Sequence, residues 1–161
     1  MLTTCLWFDG NAEEAAAFWT SLLPDSHVDG IVHAPADNPS NKAGDVMLVN
    51  FTLQGAPFQG INGGPMFTFS EAVSLRIDCA DQAEADRYWA ALTADGGEEG
   101  QCGWCKDRFG FSWQVVPVEM MAYIGGPDPD GAARAMQAML RMQRLVVEDM
   151  RRAYEGEAPV A

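Results

Sequence analysis

The stretch Cys102-Gly-Trp-Cys-Lys-Asp-Arg-Phe-Gly-Phe-Ser-Trp-Gln-Val-Val-Pro117 admits two readings, and the fold depends on which one holds. As an isolated motif, its Cys-x-x-Cys pair suggests a redox or zinc site. In context it is the closing hairpin of a repeated unit, with a charged turn around Gly110 and an aromatic strand from Ser112 to Val116 stopped by proline. A thioredoxin-type pair sits at a helix N-terminus, which stabilises the thiolate. Here Cys105 is followed by Lys-Asp-Arg-Phe-Gly and a strand, so that helix is missing. In an extended strand, residues i and i+3 point to opposite faces, which parts the two sulfurs. A zinc site needs two further ligands, and Cys5 and Cys79 are unpaired and have no histidine nearby. Buried free thiols are expected for most of the four cysteines.

Upstream of this hairpin the same pattern is written twice. Leu6-Trp-Phe-Asp9 corresponds to Leu75-Arg-Ile-Asp78, Glu14-Ala15 to Glu84-Ala85, Phe18-Trp19 to Tyr88-Trp89, and Leu22 to Leu92. In the first copy, a strand over 2–8 leads through Asp9-Gly-Asn to a helix from Ala12 to Leu23, stopped by Pro24. Strands follow at Val28–Ala34, Val46–Leu53 and Phe58–Asn62, with a polar loop over 35–45. In the second copy, Val73–Cys79 is a strand and Asp81–Ala94 a helix. Short strands near Glu98–Gly103, Trp104–Lys106 and Ser112–Val116 complete it. Each copy thus reads strand, helix and three strands.

The expected fold class is α+β: two paired βαβββ modules forming a curved mixed sheet around a concave pocket, followed by a C-terminal helical extension. Residues 1–161 are read as one domain, with module one over about 1–65, module two over about 70–117 and helices over about 118–155. In the extension, Val118–Ile124 is a short helical segment. A second helix runs from about Asp130 to Ala153, interrupted near Leu145. Its apolar stripe is Ala132, Met136, Met139, Leu140, Val147 and Met150, with Gln143 as the polar intrusion. Residues 156–161 are expected to fray.

Composition narrows the partners. A net charge of -13 argues against nucleic acid, whose phosphates would be repelled. Half of the ten basic residues (Arg134, Arg141, Arg144, Arg151 and Arg152) lie in the last segment, as a solvated helix face or a docking surface. No apolar run approaches the roughly 20 residues of a membrane span, and the N-terminus lacks the basic and apolar regions of a signal peptide. A cytoplasmic location is the expectation, with no membrane partner.

Strand alternation nominates a pocket. Leu6 and Phe8 are expected to face the helices, leaving Cys5 and Trp7 toward the concavity. The same logic places Ser74, Arg76 and Asp78 opposite Val73, Leu75 and Ile77, and puts Ser112 and Gln114 on one face. The candidate ligand pocket is Trp7, Gln59, Asn62, Ser74, Arg76, Trp104 and Gln114. Trp19 and Trp89, on the helices, read as core. His27 and His33 are the only histidines, and their even spacing places them on one strand face. Their local carboxylates, Asp25, Asp29 and Asp37, read as turn residues rather than metal ligands. Gln59-Gly-Ile-Asn-Gly-Gly-Pro65 lacks the spacing of a phosphate loop and reads as a tight turn.

Three segments carry a family resemblance: Leu6-Trp-Phe-Asp-Gly-Asn-Ala-Glu-Glu-Ala15, Gln59–Pro65 and Cys102–Pro117. They resemble the PhnB-like group, also labelled 3-demethylubiquinone-9 3-methyltransferase-like, within the vicinal oxygen chelate (glyoxalase, bleomycin-resistance and dioxygenase) superfamily. The resemblance implies paired βαβββ modules, a homodimer, and in the superfamily's enzymes a divalent metal held by His or Glu from the first and last strands of each module. The chain departs from that ligand pattern. Its first strands offer Thr3, Thr4 and Cys5, and Ala72 and Ser74; its last strands offer Gln59 or Asn62, and Gln114 in place of a glutamate. Neutral amides are poor ligands for zinc or iron. No glycine-rich turn of a Rossmann-type methyl-donor site is present either.

The reading is therefore a small-molecule-binding, PhnB-like homodimer without metal or other cofactor and with no reaction assigned. The alternatives are a metal-dependent lyase, isomerase or dioxygenase with unconventional ligands, and an interaction module working through the C-terminal helix.

Overall fold

The computed structural model describes residues 2–157. The expected tail lies largely in 158–161, outside the described residues. The chain divides into two compact units, 1–69 and 70–161. Both are βαβββ modules, and the second carries the helical extension.

In the first unit, β1 (Thr4–Phe8), α1 (Ala12–Leu22), β2 (His27–His33), β3 (Val46–Leu53) and β4 (Ala56–Asn62) follow in order. The sheet order is β1-β4-β3-β2, with β1 parallel to β4 and the other pairs antiparallel. Burial alternates along the strands as a one-sided sheet requires. Leu6, Phe8, Val49, Phe51, Leu53 and Phe58 are buried. Across from them Trp19, fully buried on α1, meets the rings of Phe8 and Phe51 at centroid distances of 5.9 Å each. Close approach at Gly60 completes the seat of the helix: a Cβ there would lie 2.9 Å from Ala12 Cβ and 3.3 Å from the Phe8 ring.

The second unit repeats the plan with β5 (Leu75–Cys79), α2 (Gln82–Thr93), β6 (Glu98–Glu99), β7 (Trp104–Lys106) and β8 (Ser112–Pro117). Its sheet order is β5-β8-β7-β6, with β5 parallel to β8. Asp81 caps α2 by accepting the Glu84 backbone N–H at 2.8 Å, and the Glu84 carboxylate returns to the Ala80 N–H at 2.7 Å. Tyr88, Trp89 and Leu92 are buried on α2, with Trp89 core as expected.

The extension consists of a 3-10 turn (Val118–Met120), α3 (Met121–Ile124), α4 (Pro129–Met139) and α5 (Val147–Glu155). The long helix is interrupted at 140–146, around the expected point. On α4 the stripe is corrected by about one position, with Gly131 and Ala135 buried while Met136 and Leu140 are 36% and 51% exposed; on α5 Val147 and Met150 are buried as expected. Small residues face inward because α4 and α5 approach closely; a Cβ at Gly131 would lie 2.9 Å from the Tyr154 carbonyl.

The extension packs within its own unit. Leu145 and Met150 join Val116 and Met120 in a buried cluster. Gln82 pins the start of α5, donating to the Leu145 carbonyl at 2.9 Å and accepting the Val147 N–H at 2.8 Å. Arg144 reaches Asp86 on α2.

Candidate functional site

The Cys-x-x-Cys stretch is a docking turn. Cys102 is not in an extended strand, as the alternation argument assumed; it sits in a turn with φ 57°, and β6 ends at Glu99. The backbone N–H groups of Cys102 and Gly103 donate to the carbonyls of Met142 and Gln143 at 2.8 and 2.7 Å. The turn thus satisfies two carbonyls that the break between α4 and α5 leaves open. All four cysteines are free thiols. Burial pushes the Cys79 thiol up to about 11 and the Cys105 thiol up to about 12. Neither is a nucleophile at neutral pH.

The charged turn after β7 is built around a carboxylate the sequence reading passed over. Asp107, 2% exposed, accepts the backbone N–H groups of Phe109 and Phe111 at 2.9 and 3.1 Å and the Trp113 indole N–H at 2.8 Å. Asp107 and Trp113 therefore belong to the hairpin's framework, and Trp104 is left on the other face.

The nominated residues fall into two groups, each confined to one unit. On the second sheet, Arg76 is registered against Gln114, and Gln114 against Trp104. The three form one cross-strand row on the face opposite Ile77, Trp113 and Cys105. Ser74 joins it, accepting a hydrogen bond from Gln114 Nε2 at 2.9 Å. Arg76 bonds Asp78 two residues along the same strand, at 2.6 Å. The next row is Ser112, Lys106 and Glu98. The Lys106 ammonium meets Glu71 at 2.6 Å, which holds the Glu71 carboxyl below its usual range and raises Lys106. A cavity of about 150 Å³ opens beside this row, lined among others by Trp104, Ser112, Glu71 and Glu98. Lys106 was legible in principle, since it shares strand parity with Trp104. Glu71 was not, because it precedes the strand.

On the first sheet, Trp7 and Gln59 share the face opposite Phe8 and Phe58. Gln59 Nε2 donates to Asn50 Oδ1 at 2.8 Å across the β3–β4 ladder. Trp7 is half-buried; its indole N–H donates to the Gly64 carbonyl at 2.7 Å and its ring meets Phe67 edge-on. Gly63 exists for this ring, since a Cβ there would lie 2.1 Å from it.

Asn62 is a correction. Only 4% exposed, it lies on the helix-facing side with Phe58 and Gly60. Its Oδ1 accepts the Ala12 N–H at 3.0 Å and its Nδ2 donates to the Val46 carbonyl at 2.9 Å. It satisfies the start of α1 from a distant strand, because Asn11 makes no side-chain cap. Gln59 and Asn62 are three apart on one strand and cannot share a face.

The histidines form no centre. His27 pairs with Asp29 at 3.0 Å and His33 with the Gly44 carbonyl at 3.0 Å. Two register shifts along the β2–β3 pair offset one another, so the histidines keep their even spacing, opposite Thr52 and Val46, but each is engaged by its own local partner. Among the described residues, no three His, Cys, Asp or Glu side chains gather as a metal site. A divalent metal of the superfamily's kind does not fit the strand positions in question. Gln114 spends its amide on Ser74 and stands directly opposite the cationic Arg76, and Gln59 donates to Asn50.

Comparison with known proteins agrees with this architecture. The family model described as 3-demethylubiquinone-9 3-methyltransferase matches residues 1–116. A PhnB protein of Bacillus cereus is 33% identical, with a TM-score of 0.65 over 73% of this chain and 98% of its own. Protein PA1353 of Pseudomonas aeruginosa, 20% identical, shares the fold with a TM-score of 0.59 over 73% of this chain and 96% of its own. The search of curated proteins found no match. The matched span and the identity to the Bacillus protein place the chain in the 3-demethylubiquinone-9 3-methyltransferase (PhnB-like) family.

Proposed function

We propose that the protein binds a small molecule on the β5–β8 sheet face and does so without a divalent metal. The observation that carries this reading is the cross-strand row of Arg76, Gln114 and Trp104. It sets a cation, an amide and an aromatic wall side by side on a partly accessible surface, the mixture by which small-ligand sites fix orientation. The Gln114 carbonyl oxygen and the Ser74 hydroxyl add polar contacts at its centre. Metal independence follows from chemistry, since an amide beside a guanidinium is a poor seat for a dication. The methyl-transfer activity in the family's description is not carried over, because these mixed four-stranded sheets offer no doubly wound parallel core for a Rossmann-type donor site.

The test is a thermal-shift screen of small metabolites, run with and without added divalent ions. A ligand of the native state raises the melting temperature. The expected hit shifts the wild type equally with and without metal and loses its effect in Q114A and W104A. A stoichiometric, tightly held divalent ion in protein purified without chelator would overturn metal independence. The protein is further proposed to be a homodimer, and a monomer mass by light scattering at micromolar concentration would refute that.

A further inference from the structure

We infer that the cavity beside β6, β7 and β8 is a subsite for a small organic ammonium ion, resting on the reading of this sheet face as a ligand surface. Three features converge there. Its lining includes the carboxylates of Glu71 and Glu98 against one cation, Lys106, and Lys106 is already held by Glu71. The lining is therefore net negative and complementary to a positive ligand. Trp104 supplies a half-buried indole wall, and a tryptophan face is the best side-chain partner for an alkylated ammonium group.

The third feature is Ser112. It is 1% exposed, lines the same cavity, and its Oγ is the buried side-chain polar atom that finds no partner among the described residues. A buried hydroxyl without a partner is a standing cost that a ligand hydroxyl or ammonium N–H relieves. At about 150 Å³ the space exceeds the need of a lone water, which is about 15 Å³. Glu99 also touches the cavity, but its carboxylate turns to the helix side, accepting the Trp89 indole N–H at 2.9 Å. Glu98, exposed and registered against Lys106, is left to face the incoming charge.

The experiment titrates the full chain with choline and, separately, with its uncharged isostere 3,3-dimethyl-1-butanol, following amide and indole resonances by ¹H–¹⁵N NMR. The expected result is a saturable shift of the Trp104 indole N–H with choline, and affinity for the neutral isostere lower by about tenfold. E98Q is expected to weaken choline binding about threefold. In S112A, choline and tetramethylammonium become equivalent. Equal affinity for the charged and neutral probes, or no saturable shift at Trp104, would overturn the ammonium subsite; both readouts use the wild-type protein. An anionic or neutral metabolite that binds at Trp104 and Gln114 would sink this inference while leaving the ligand surface standing. A screen in which nothing perturbs Arg76, Trp104 or Gln114 would remove that surface as well.

Discussion

The indole N–H of Trp113 donates to the Asp107 carboxylate at 2.8 Å, and that one bond ties the turn between β7 and β8 to the strand it feeds. The same carboxylate accepts two backbone N–H groups of the turn. Substituting Asp107→Ala leaves three donors without this acceptor, two of them on the buried residues Phe111 and Trp113. The expected loss is at least about 3 kcal/mol in urea unfolding, since each orphaned donor costs about 1–3 kcal/mol. Asp107→Asn keeps one acceptor oxygen and is expected to recover about half of that. A midpoint for the alanine variant within error of wild type would refute the hub.

Gly63 and Trp7 are expected to be energetically coupled. Gly63→Ala places a methyl group inside the space of the indole and should destabilise by about 2 kcal/mol through overpacking. With Trp7→Leu already in place, the same substitution should be close to neutral. A double-mutant cycle measures the difference, and additive effects would show that the ring does not rest on the glycine.

The buried thiols make a prediction about alkaline pH. Cys79 and Cys105 hold their protons up to about 11 and about 12 when folded, because burial disfavours the thiolate. In the unfolded chain they ionise near 8.5. The unfolded state therefore binds fewer protons above that point, and stability falls as pH rises. The contribution is fully present below about pH 8.5 and is lost between there and pH 12. Urea midpoints at pH 8 and pH 10.5 should show the decline, and C105A should flatten it. At pH 8, iodoacetamide is expected to label the exposed Cys5 first and the buried pair only after denaturation.

The docking turn can be tested at Gly103. With φ 81°, and with a Cβ that would lie 2.8 Å from both Leu145 and the Val115 carbonyl, Gly103→Ala should loosen the extension. The expected readout is faster hydrogen exchange at the Cys102 and Gly103 amides, with protection of the β5–β8 ladder retained. Unchanged exchange at those two amides would count against the turn as an anchor.

What could be read from the sequence depended on the range of the cause. Period-2 burial in Leu6 and Phe8, or in Ile77 and Cys79, is local, so the modules and the cross-strand row at Gln114 were legible from alternation. The role of Asn62 was hidden because its partners, Ala12 and Val46, are distant in the chain. The stripe on α4 was misplaced for a related reason. Methionines looked like the packing face, but the close approach of α5 rewards Gly131 and Ala135 instead. Asp107 has partners only two to six residues away, so a side chain accepting N–H groups from its own turn could have been proposed.

Each sheet joins the first strand of its module to the last, side by side and parallel: Thr4 with Phe58, and Leu75 with Trp113. This order has a consequence for synthesis. On the ribosome, β1 must wait for almost its entire module to be translated before its neighbour exists, and β5 must wait likewise. Until then the apolar side of each opening strand, Leu6 and Phe8 or Ile77 and Cys79, has only its helix for cover. The completing segment of the second module is the stretch ending at Pro117, so a ribosome that stalls before it releases a strand whose partner has not been made.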